Sequence, residues 1–157
     1  MRIILTGVPG TGKTEVAKIL AKKLKANLVD INKIIEEHGF FSGTDEKDKA
    51  KIVKLKSLED YIRNHISTDE HFIIEGHIAC ELELPAEFVF VLRTHPIILR
   101  RRLAKRKYSK EKIETNVSCE ILDYCVLKSE SNYNAESIYE INSTNKKPEK
   151  VAKEILE

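Results

Sequence analysis

An uninterrupted phosphate-binding pattern, G-x-x-x-x-G-K-S/T, lies near the start of the chain, at Gly7-Val8-Pro9-Gly10-Thr11-Gly12-Lys13-Thr14. Glycines allow the backbone to curl around a polyphosphate, while a lysine adds positive charge and a hydroxyl can ligate Mg²⁺. A β-branched-rich run, residues 3–6, precedes the loop, and apolar residues follow it at helical spacing. The sequence therefore predicts a nucleoside triphosphate site between a strand and a helix. Its expected nucleotide contacts are Gly10, Gly12, Lys13, Thr14 and Glu15.

Apolar runs that are typical of strands alternate with segments of helical period. This alternation indicates an α/β fold in which helices cover both faces of a parallel sheet. A length of 157 residues fits a single domain. The five predicted strands are Ile3-Leu5, Leu28-Val29, Phe72-Ile74, Phe88-Leu92 and Ile138-Ile141.

Helix signals fill the connections between these strands. A short helix is predicted from Ile31 to Glu37, stopped by Gly39, then a loop at 42–45 and a longer helix over about 46–66. That longer helix would carry Ile52, Leu55, Leu58, Tyr61 and Ile62 on one face. Two helices in series should follow the fourth strand, with a break at 106–109 where Ser109 is an N-cap. A terminal helix is expected to start at about Pro148.

Composition narrows the classes of partner. Lys and Arg number 27 against 25 Asp and Glu, so a net charge of +2 predicts neither strong direct nucleic-acid binding nor membrane binding. Three cysteines without C-x-x-C spacing indicate reduced thiols and no zinc site. The segment before the loop is too short for a signal peptide or a membrane span, so we expect a cytoplasmic protein, or a nuclear one in a eukaryote.

Positive charge is concentrated around the predicted helix break, between Arg93 and Lys112. Phosphoryl transfer requires such charge around a metal-bound triphosphate, together with exclusion of water. Arg106 lies at the break itself and is the expected catalytic arginine, while Arg93 and Arg102 are candidates for a second substrate's phosphate. The alternative for the cluster is a solvated basic helix face.

The third strand ends in Glu75-Gly76-His77, where the carboxyl ends of parallel strands border a ligand crevice. A carboxylate at this position can hold Mg²⁺ directly or through water, so Thr14 and Glu75 form the predicted metal site. Lys13, Glu75, His77 and Arg106 form the predicted catalytic set. The alternative is structural: Glu75 pairs with a lysine and His77 caps a loop.

Two further polar segments complete the predicted site. Asp30, Asn32 and Lys33 follow the second strand and can contact a second substrate, although an Asp/Asn pair at a strand end is often an N-cap. The Asn145-Lys146 loop can pack on a nucleotide base.

Taken together, these residues resemble the small adenylate kinase-like P-loop proteins of archaea and the eukaryotic nucleus. The similarity runs nearly end to end. Its motifs are the phosphate loop, Glu75-Gly76-His77, Phe90-Val91-Leu92-Arg93-Thr94, Arg102-Leu103 through Ile113, Asn116-Val117-Ser118-Cys119-Glu120 and Thr144-Asn145-Lys146.

This resemblance implies a parallel sheet in order 2-3-1-4-5, a nucleoside-monophosphate arm over about 30–53 and a short lid over about 105–115. It implies broad nucleoside monophosphate kinase activity with ATP, Mg²⁺ and an acceptor such as AMP. It further implies ATPase activity linked to small-ribosomal-subunit maturation, with transient binding to a platform protein of that subunit.

The chain departs from the family pattern in three ways. Glu75 replaces the usual Asp, Lys107 replaces a lid glycine, and the arm has no arginine. A nucleotide-switched assembly factor and a small-metabolite kinase on the same scaffold remain alternative functions. A GTPase is disfavoured because Pro148 occupies the position where an N-K-x-D motif requires Asp.

Overall fold

The computed structural model describes residues 1–46, 51–66 and 69–157. Strands and helices alternate along the chain, with two short 3₁₀ helices at His77–Glu81 and Ala135–Ser137. The strands are β1 Arg2–Thr6, β2 Asn27–Asp30, β3 Phe41–Thr44, β4 Lys51–Val53, β5 Phe72–Glu75, β6 Phe88–Arg93 and β7 Ile138–Asn142. The helices are α1 Lys13–Leu24, α2 Ile31–His38, α3 Leu55–His65, α4 Pro96–Lys105, α5 Lys110–Ile121, α6 Tyr124–Asn132 and α7 Pro148–Leu156.

Five parallel strands form the main sheet in the order β2-β5-β1-β6-β7. Numbered among themselves, these strands run 2-3-1-4-5, so the predicted strands and their order are confirmed. β1 lies at the centre and its side chains alternate between two apolar layers. Ile3 and Leu5 pack with α1 and α7, whereas Ile4 packs with α2 and α3. Because all five carboxyl ends meet at one edge, the loops that follow them converge there.

The segment between α2 and α3 differs from the prediction. Phe41–Thr44, expected in part to be a loop, is a strand that pairs antiparallel with Lys51–Val53. The predicted helix over 46–66 begins only at Leu55, and its residues 47–50 lie outside the described part of the chain. Ile52 fitted the helical period but lies on β4 with 51% of its surface exposed. Of the predicted apolar face, Leu58 and Ile62 are fully buried, and Ile52 is lost from it because the β4 pairing replaces the first turns of that helix.

The helices after β6 confirm the expected break and add one element. Ser109 caps α5, since its Oγ accepts a hydrogen bond of 3.2 Å from the Lys112 backbone N–H. Two helices were expected before the last strand, and the structure has three. Asp123 ends the second helical segment with a left-handed φ of 56°, and α6 starts after it. Within the described residues no helix has the length and apolar character needed to cross a membrane.

Candidate active site

The phosphate loop connects β1 to α1 and is held in shape by its own backbone. Gly7 has φ 141°, and a Cβ there would lie 2.6 Å from the Leu92 carbonyl oxygen. Gly10 has φ 94°, and its Cβ would meet a Leu99 methyl at 2.9 Å. Neither position accepts a side chain without displacement of its neighbours. Gly7 therefore allows the loop to lie close to β6, and Gly10 allows it to lie close to α4.

Lys13 begins α1 and its side chain is buried, with 8% of its surface exposed. Its Nζ donates a hydrogen bond of 3.0 Å to the Val8 carbonyl oxygen, across the loop. Burial lowers the pKa of Lys13 to about 8, and the Glu75 carboxylate partly opposes this effect. A desolvated ammonium at a helix N-terminus is well suited to bind an anion.

Glu75 ends β5 between two other strand ends, opposite Leu5 of β1 and Asp30 of β2. Its side chain is 3% exposed, and the Thr14 hydroxyl donates to its Oε1 at 3.1 Å. Burial raises the pKa of Glu75, whereas Lys13 lowers it. The strand register thus brings a carboxylate from one strand to the hydroxyl and lysine of the phosphate loop.

These oxygen atoms fit the magnesium ion that a triphosphate-dependent site requires. Mg²⁺ prefers hard oxygen ligands and keeps several waters, so one hydroxyl and one carboxylate beside bound phosphates form a suitable set. The buried Glu75 carboxylate has Lys13 as its main positive neighbour. The Glu75 carboxylate would also stabilise a second positive charge, such as a metal ion, placed next to it. Thr14 and Glu75 therefore suit the metal, and its binding there stays a prediction.

His77 follows Gly76 and begins the 3₁₀ helix after β5. Its carbonyl oxygen accepts hydrogen bonds from Thr6 Oγ1 at 3.2 Å and from Cys80 Sγ at 3.1 Å, which anchor the backbone. Burial, with smaller effects of Lys13 and Lys112, lowers the pKa of His77 to about 4. The imidazole is neutral near pH 7 and can accept a proton or a hydrogen bond.

A cavity of about 620 Å³ brings several of these elements together. The phosphate loop and Glu15 border it on one side, β5 and the 3₁₀ helix supply Glu75 and His77, and α2 and β4 contribute further lining residues. Arg106, Tyr108, Lys112 and Asn116 reach it from the α4–α5 connection and α5. Of the predicted site residues, the cavity contains Gly10, Gly12, Lys13, Thr14, Glu15, Asn32, Glu75, His77 and Arg106.

A larger groove of about 930 Å³ lies elsewhere, between α5 and α6. Leu122, Tyr124 and Leu127 give it an apolar lining, and it contains none of the predicted site residues. The smaller cavity is the candidate active site because it alone, of these two, borders the phosphate loop.

Three other residues that were predicted to bind substrates do not line the cavity and make contacts with other protein groups. Asp30 caps α2 by accepting the Lys33 backbone N–H at 3.2 Å, which is the alternative role that its position allowed. The Lys33 ammonium lies 3.9 Å from Glu37 on the surface of α2. Lys146 donates to Glu154 of α7 at 2.9 Å. Their contacts with substrates stay predictions.

Arg93, at the end of β6, is surrounded by acidic groups from other elements. Its guanidinium donates to Glu120 of α5, to Asp123 at 2.6 Å and to Glu140 of β7 at 2.6 Å. Hydrogen bonds to these carboxylates raise the pKa of Arg93 despite the opposing effect of burial. The structure does not bring this arginine to the cavity lining.

Arg102 of α4 binds the outer side of the phosphate loop. Its Nη1 donates to the Gly10 carbonyl oxygen at 3.2 Å and to Thr94 Oγ1 at 3.3 Å, and its Nη2 donates to the Ser143 carbonyl oxygen at 3.1 Å. Ser143 in turn donates to the Thr11 carbonyl oxygen at 2.9 Å. These bonds connect the phosphate loop, α4 and the loop after β7.

Sequence reasoning did not assign substrate-binding roles to Lys51 and Lys112, which both line the cavity. Lys51 was missed because the sequence predicted a helix over 46–66, whereas residue 51 lies on β4. Lys112 was visible as part of the basic cluster, and its position three residues after the Ser109 cap puts it in the first turn of α5. Lys107, where related lids have glycine, holds a left-handed φ of 58°.

The parallel sheet, the phosphate loop after its central strand and the facing carboxylate define a P-loop nucleotide-binding protein. Residues 3–123 match the family model described as an AAA domain. A protein of Methanocaldococcus jannaschii named "Putative adenylate kinase" is 32% identical over 157 residues, which is 100% of this chain and 85% of that protein. One of Pyrococcus abyssi with the same name is 35% identical over 99% of this chain and 82% of its own length. The chain belongs to this adenylate kinase-like family of P-loop proteins.

Solved structures agree on the fold. A gluconokinase from Sinorhizobium meliloti superposes with a TM-score of 0.59 at 12% identity, over 99% of this chain and 89% of its own. An uncharacterized protein from Eubacterium ventriosum gives a TM-score of 0.61 at 15% identity, over 99% of this chain and 96% of its own. At such identities the likeness concerns the architecture and not the substrate.

Proposed function

We propose that the protein is a nucleoside monophosphate kinase that transfers the γ-phosphate of ATP to AMP, giving two ADP, and accepts other monophosphates. The observation that carries this proposal is that one cavity is bordered by both the phosphate loop and the arm elements α2 and β4. Such a cavity can hold a phosphate donor and an acceptor side by side, which is the main requirement of this reaction. Membership of the adenylate kinase-like family supports a nucleotide kinase.

In the proposed reaction an oxygen of the acceptor phosphate attacks the γ-phosphorus, and the bond between that phosphorus and the bridging oxygen of ADP breaks. Lys13 and Arg106 offset the negative charge on the transferred group. Mg²⁺, when bound, neutralises phosphate oxygens and orients the triphosphate. Thr14 and Glu75 would hold that metal, and closure of residues 105–115 would exclude water.

A second activity, hydrolysis of ATP, is favoured by one feature of the cavity. The His77 imidazole is neutral at physiological pH, so it can accept a hydrogen bond from a water molecule near the phosphates. On this basis we propose intrinsic ATPase activity, and from the family resemblance we propose that it is linked to maturation of the small ribosomal subunit. The alternative is that hydrolysis is the principal activity of a nucleotide-switched assembly factor and phosphate transfer is incidental.

The proposed ribosomal partner is a basic platform protein that binds acidic residues of the arm. Glu36 and Glu37 are exposed, although each already pairs with a lysine of the arm, Lys51 and Lys33 respectively. Exposed pairs of this kind are weak and exchange readily. Charge reversal at Glu36 and Glu37 should therefore weaken a pull-down of the purified partner, more strongly at low salt.

The proposed function is tested by a substrate panel. ADP formation from ATP and Mg²⁺ is measured without acceptor and with each nucleoside monophosphate in turn. A kinase gives faster ADP formation with at least one monophosphate and forms the corresponding diphosphate. A rate that no monophosphate changes, but that a ribosomal platform protein does change, supports the assembly factor instead.

A further inference from the structure

Two lysines border the cavity at positions that the reaction with ATP leaves without a role. Lys51 lies on β4 of the arm, and Lys112 lies in the first turn of α5, after the lid break. Lys13 and Arg106 already serve the triphosphate in the proposed reaction. A second phosphate group in the same cavity needs its own positive charge, because two bound phosphates repel each other.

Both ammonium groups are held in place without being neutralised by a buried acid. Lys51 Nζ lies 4.5 Å from the centre of the Phe41 ring, and Lys112 Nζ lies 4.2 Å from the centre of the Tyr108 ring. Aromatic faces of this kind attract and orient a cation. The rings therefore restrict where each ammonium can be, which reduces the entropy that is lost when an anion binds.

The charge of these lysines is available to a ligand. Lys51 pairs with Glu36, but 63% of the Glu36 side chain is exposed, and such a pair yields readily to a doubly charged phosphate. Lys112 has no carboxylate within ion-pair distance among the described residues. Its charge acts inside the cavity, since it contributes to the lowered pKa of His77.

Lys33, which the sequence predicted to contact the acceptor, is less suitable than Lys51. Lys33 does not line the cavity; 70% of its side chain is exposed and it pairs with Glu37 along α2. The described part of the arm has no arginine, and neither has the rest of the sequence between Asp30 and Val53. Among the described residues of the arm, Lys51 is the basic residue that lines the cavity.

We propose that Lys51 of the arm and Lys112 of α5 together bind the phosphate monoester of the acceptor, so that the site selects acceptors by this phosphate. This inference rests on the proposed kinase function. It assigns the acceptor phosphate to two ammonium groups carried by different elements. One of them lies on β4 of the arm, whose sequence between Asp30 and Val53 has no arginine.

The test is steady-state kinetics of ADP formation with ATP and AMP each varied, on Lys51→Ala, Lys112→Ala and Lys51→Arg. Loss of a charged hydrogen bond to phosphate reduces binding about 10- to 100-fold, so each alanine variant should raise the KM for AMP by that factor. In Lys51→Ala the KM for ATP and the acceptor-free hydrolysis rate should change less than about twofold, and Lys51→Arg should restore most of the affinity for AMP. The matched control is Lys56→Ala, which removes a lysine of α3 that is 81% exposed and outside the cavity.

An unchanged KM for AMP in Lys51→Ala, or an equal rise in the KM for ATP, overturns the inference, as does a larger effect of Lys33→Ala. Calorimetry separates this failure from failure of the kinase function. If the unmodified protein transfers no phosphate to AMP, its binding of AMP and of adenosine is measured directly. If the unmodified protein binds AMP but not adenosine, and Lys51→Ala loses this binding, the phosphate site is supported although the kinase function is not. Absence of AMP binding overturns both.

Discussion

Lys13 gives the candidate site a measurable pH dependence. Burial lowers the pKa of Lys13 to about 8 from an ordinary value of 10.5, Arg106 lowers it further by like charge, and Glu75 acts in the opposite direction. The free site therefore holds a charged lysine below about pH 8 and a neutral one above it. A bound triphosphate adds negative charge, which raises the pKa of Lys13. Binding of the triphosphate at alkaline pH should then take up a proton from solution.

The size of this effect follows from the pKa of the free site. The fraction of neutral Lys13 is about one tenth at pH 7, about one half at pH 8 and about nine tenths at pH 9. These fractions equal the protons taken up, provided that Lys13 is fully charged in the complex. By linkage, the affinity for the triphosphate should fall about tenfold between pH 7 and pH 9.

Isothermal titration calorimetry measures the proton uptake. A non-hydrolysable ATP analogue with Mg²⁺ is titrated at pH 8 in two buffers that differ in ionisation enthalpy, and the difference in apparent binding enthalpy gives the number of protons. The control is Lys13→Arg, which carries a permanent charge and should take up close to none. Equal uptake in that variant would assign the proton to another group, for example the Cys125 thiol, whose pKa is lowered by its hydrogen bond with Cys80. Uptake below about 0.1 proton by the unmodified protein would refute the reasoning.

Four substitutions test the other assignments. Arg106→Ala should lower kcat by roughly two to four decades with an unchanged thermal midpoint, because it removes a charge from the cavity and no side-chain hydrogen bond to the described residues. Arg102→Ala should instead reduce the free energy of unfolding by about 1–3 kcal/mol, measured in urea, because it removes the donor to the Gly10 carbonyl oxygen and one of two donors to the Ser143 carbonyl oxygen; the reverse pattern would mean that the lid arginine is Arg102. Glu75→Ala should weaken the Mg²⁺ dependence of turnover while a fluorescent ATP analogue still binds; an unaltered Mg²⁺ titration contradicts the metal assignment. His77→Ala should slow ATP hydrolysis more than transfer to AMP, and equal losses would indicate a structural role.

The sheet and the phosphate loop could be predicted because their signals are local. A strand buried on both faces needs a run of apolar β-branched residues, and 3–5 and 72–74 are such runs. The arm hairpin could not be predicted in the same way. Ser42 and Gly43 favour a turn, and the strand they belong to is stabilised by pairing with residues that come later in the chain. Nothing local in the sequence encodes that pairing.

The same distinction explains the site. Lys13, Thr14 and Glu75 were predictable because a motif and a strand end fix their positions. Arg93 could not be separated from the cavity by inspection of its neighbours in sequence. Its carboxylate partners come from α5, from the turn after it and from β7, so only the folded chain brings them to the guanidinium.

Counting positive residues therefore overestimates the charge that a phosphate can use. Nine of them lie between Arg93 and Lys112, yet in the fold Arg93 is compensated by carboxylates and Arg102 donates to backbone and hydroxyl oxygens. What matters for an anion is charge that lines the cavity and has no buried acid as its partner. Arg106 and Lys112 meet that condition within the cluster. Lys51 meets it from the arm, where the sequence pattern had predicted only a helix face.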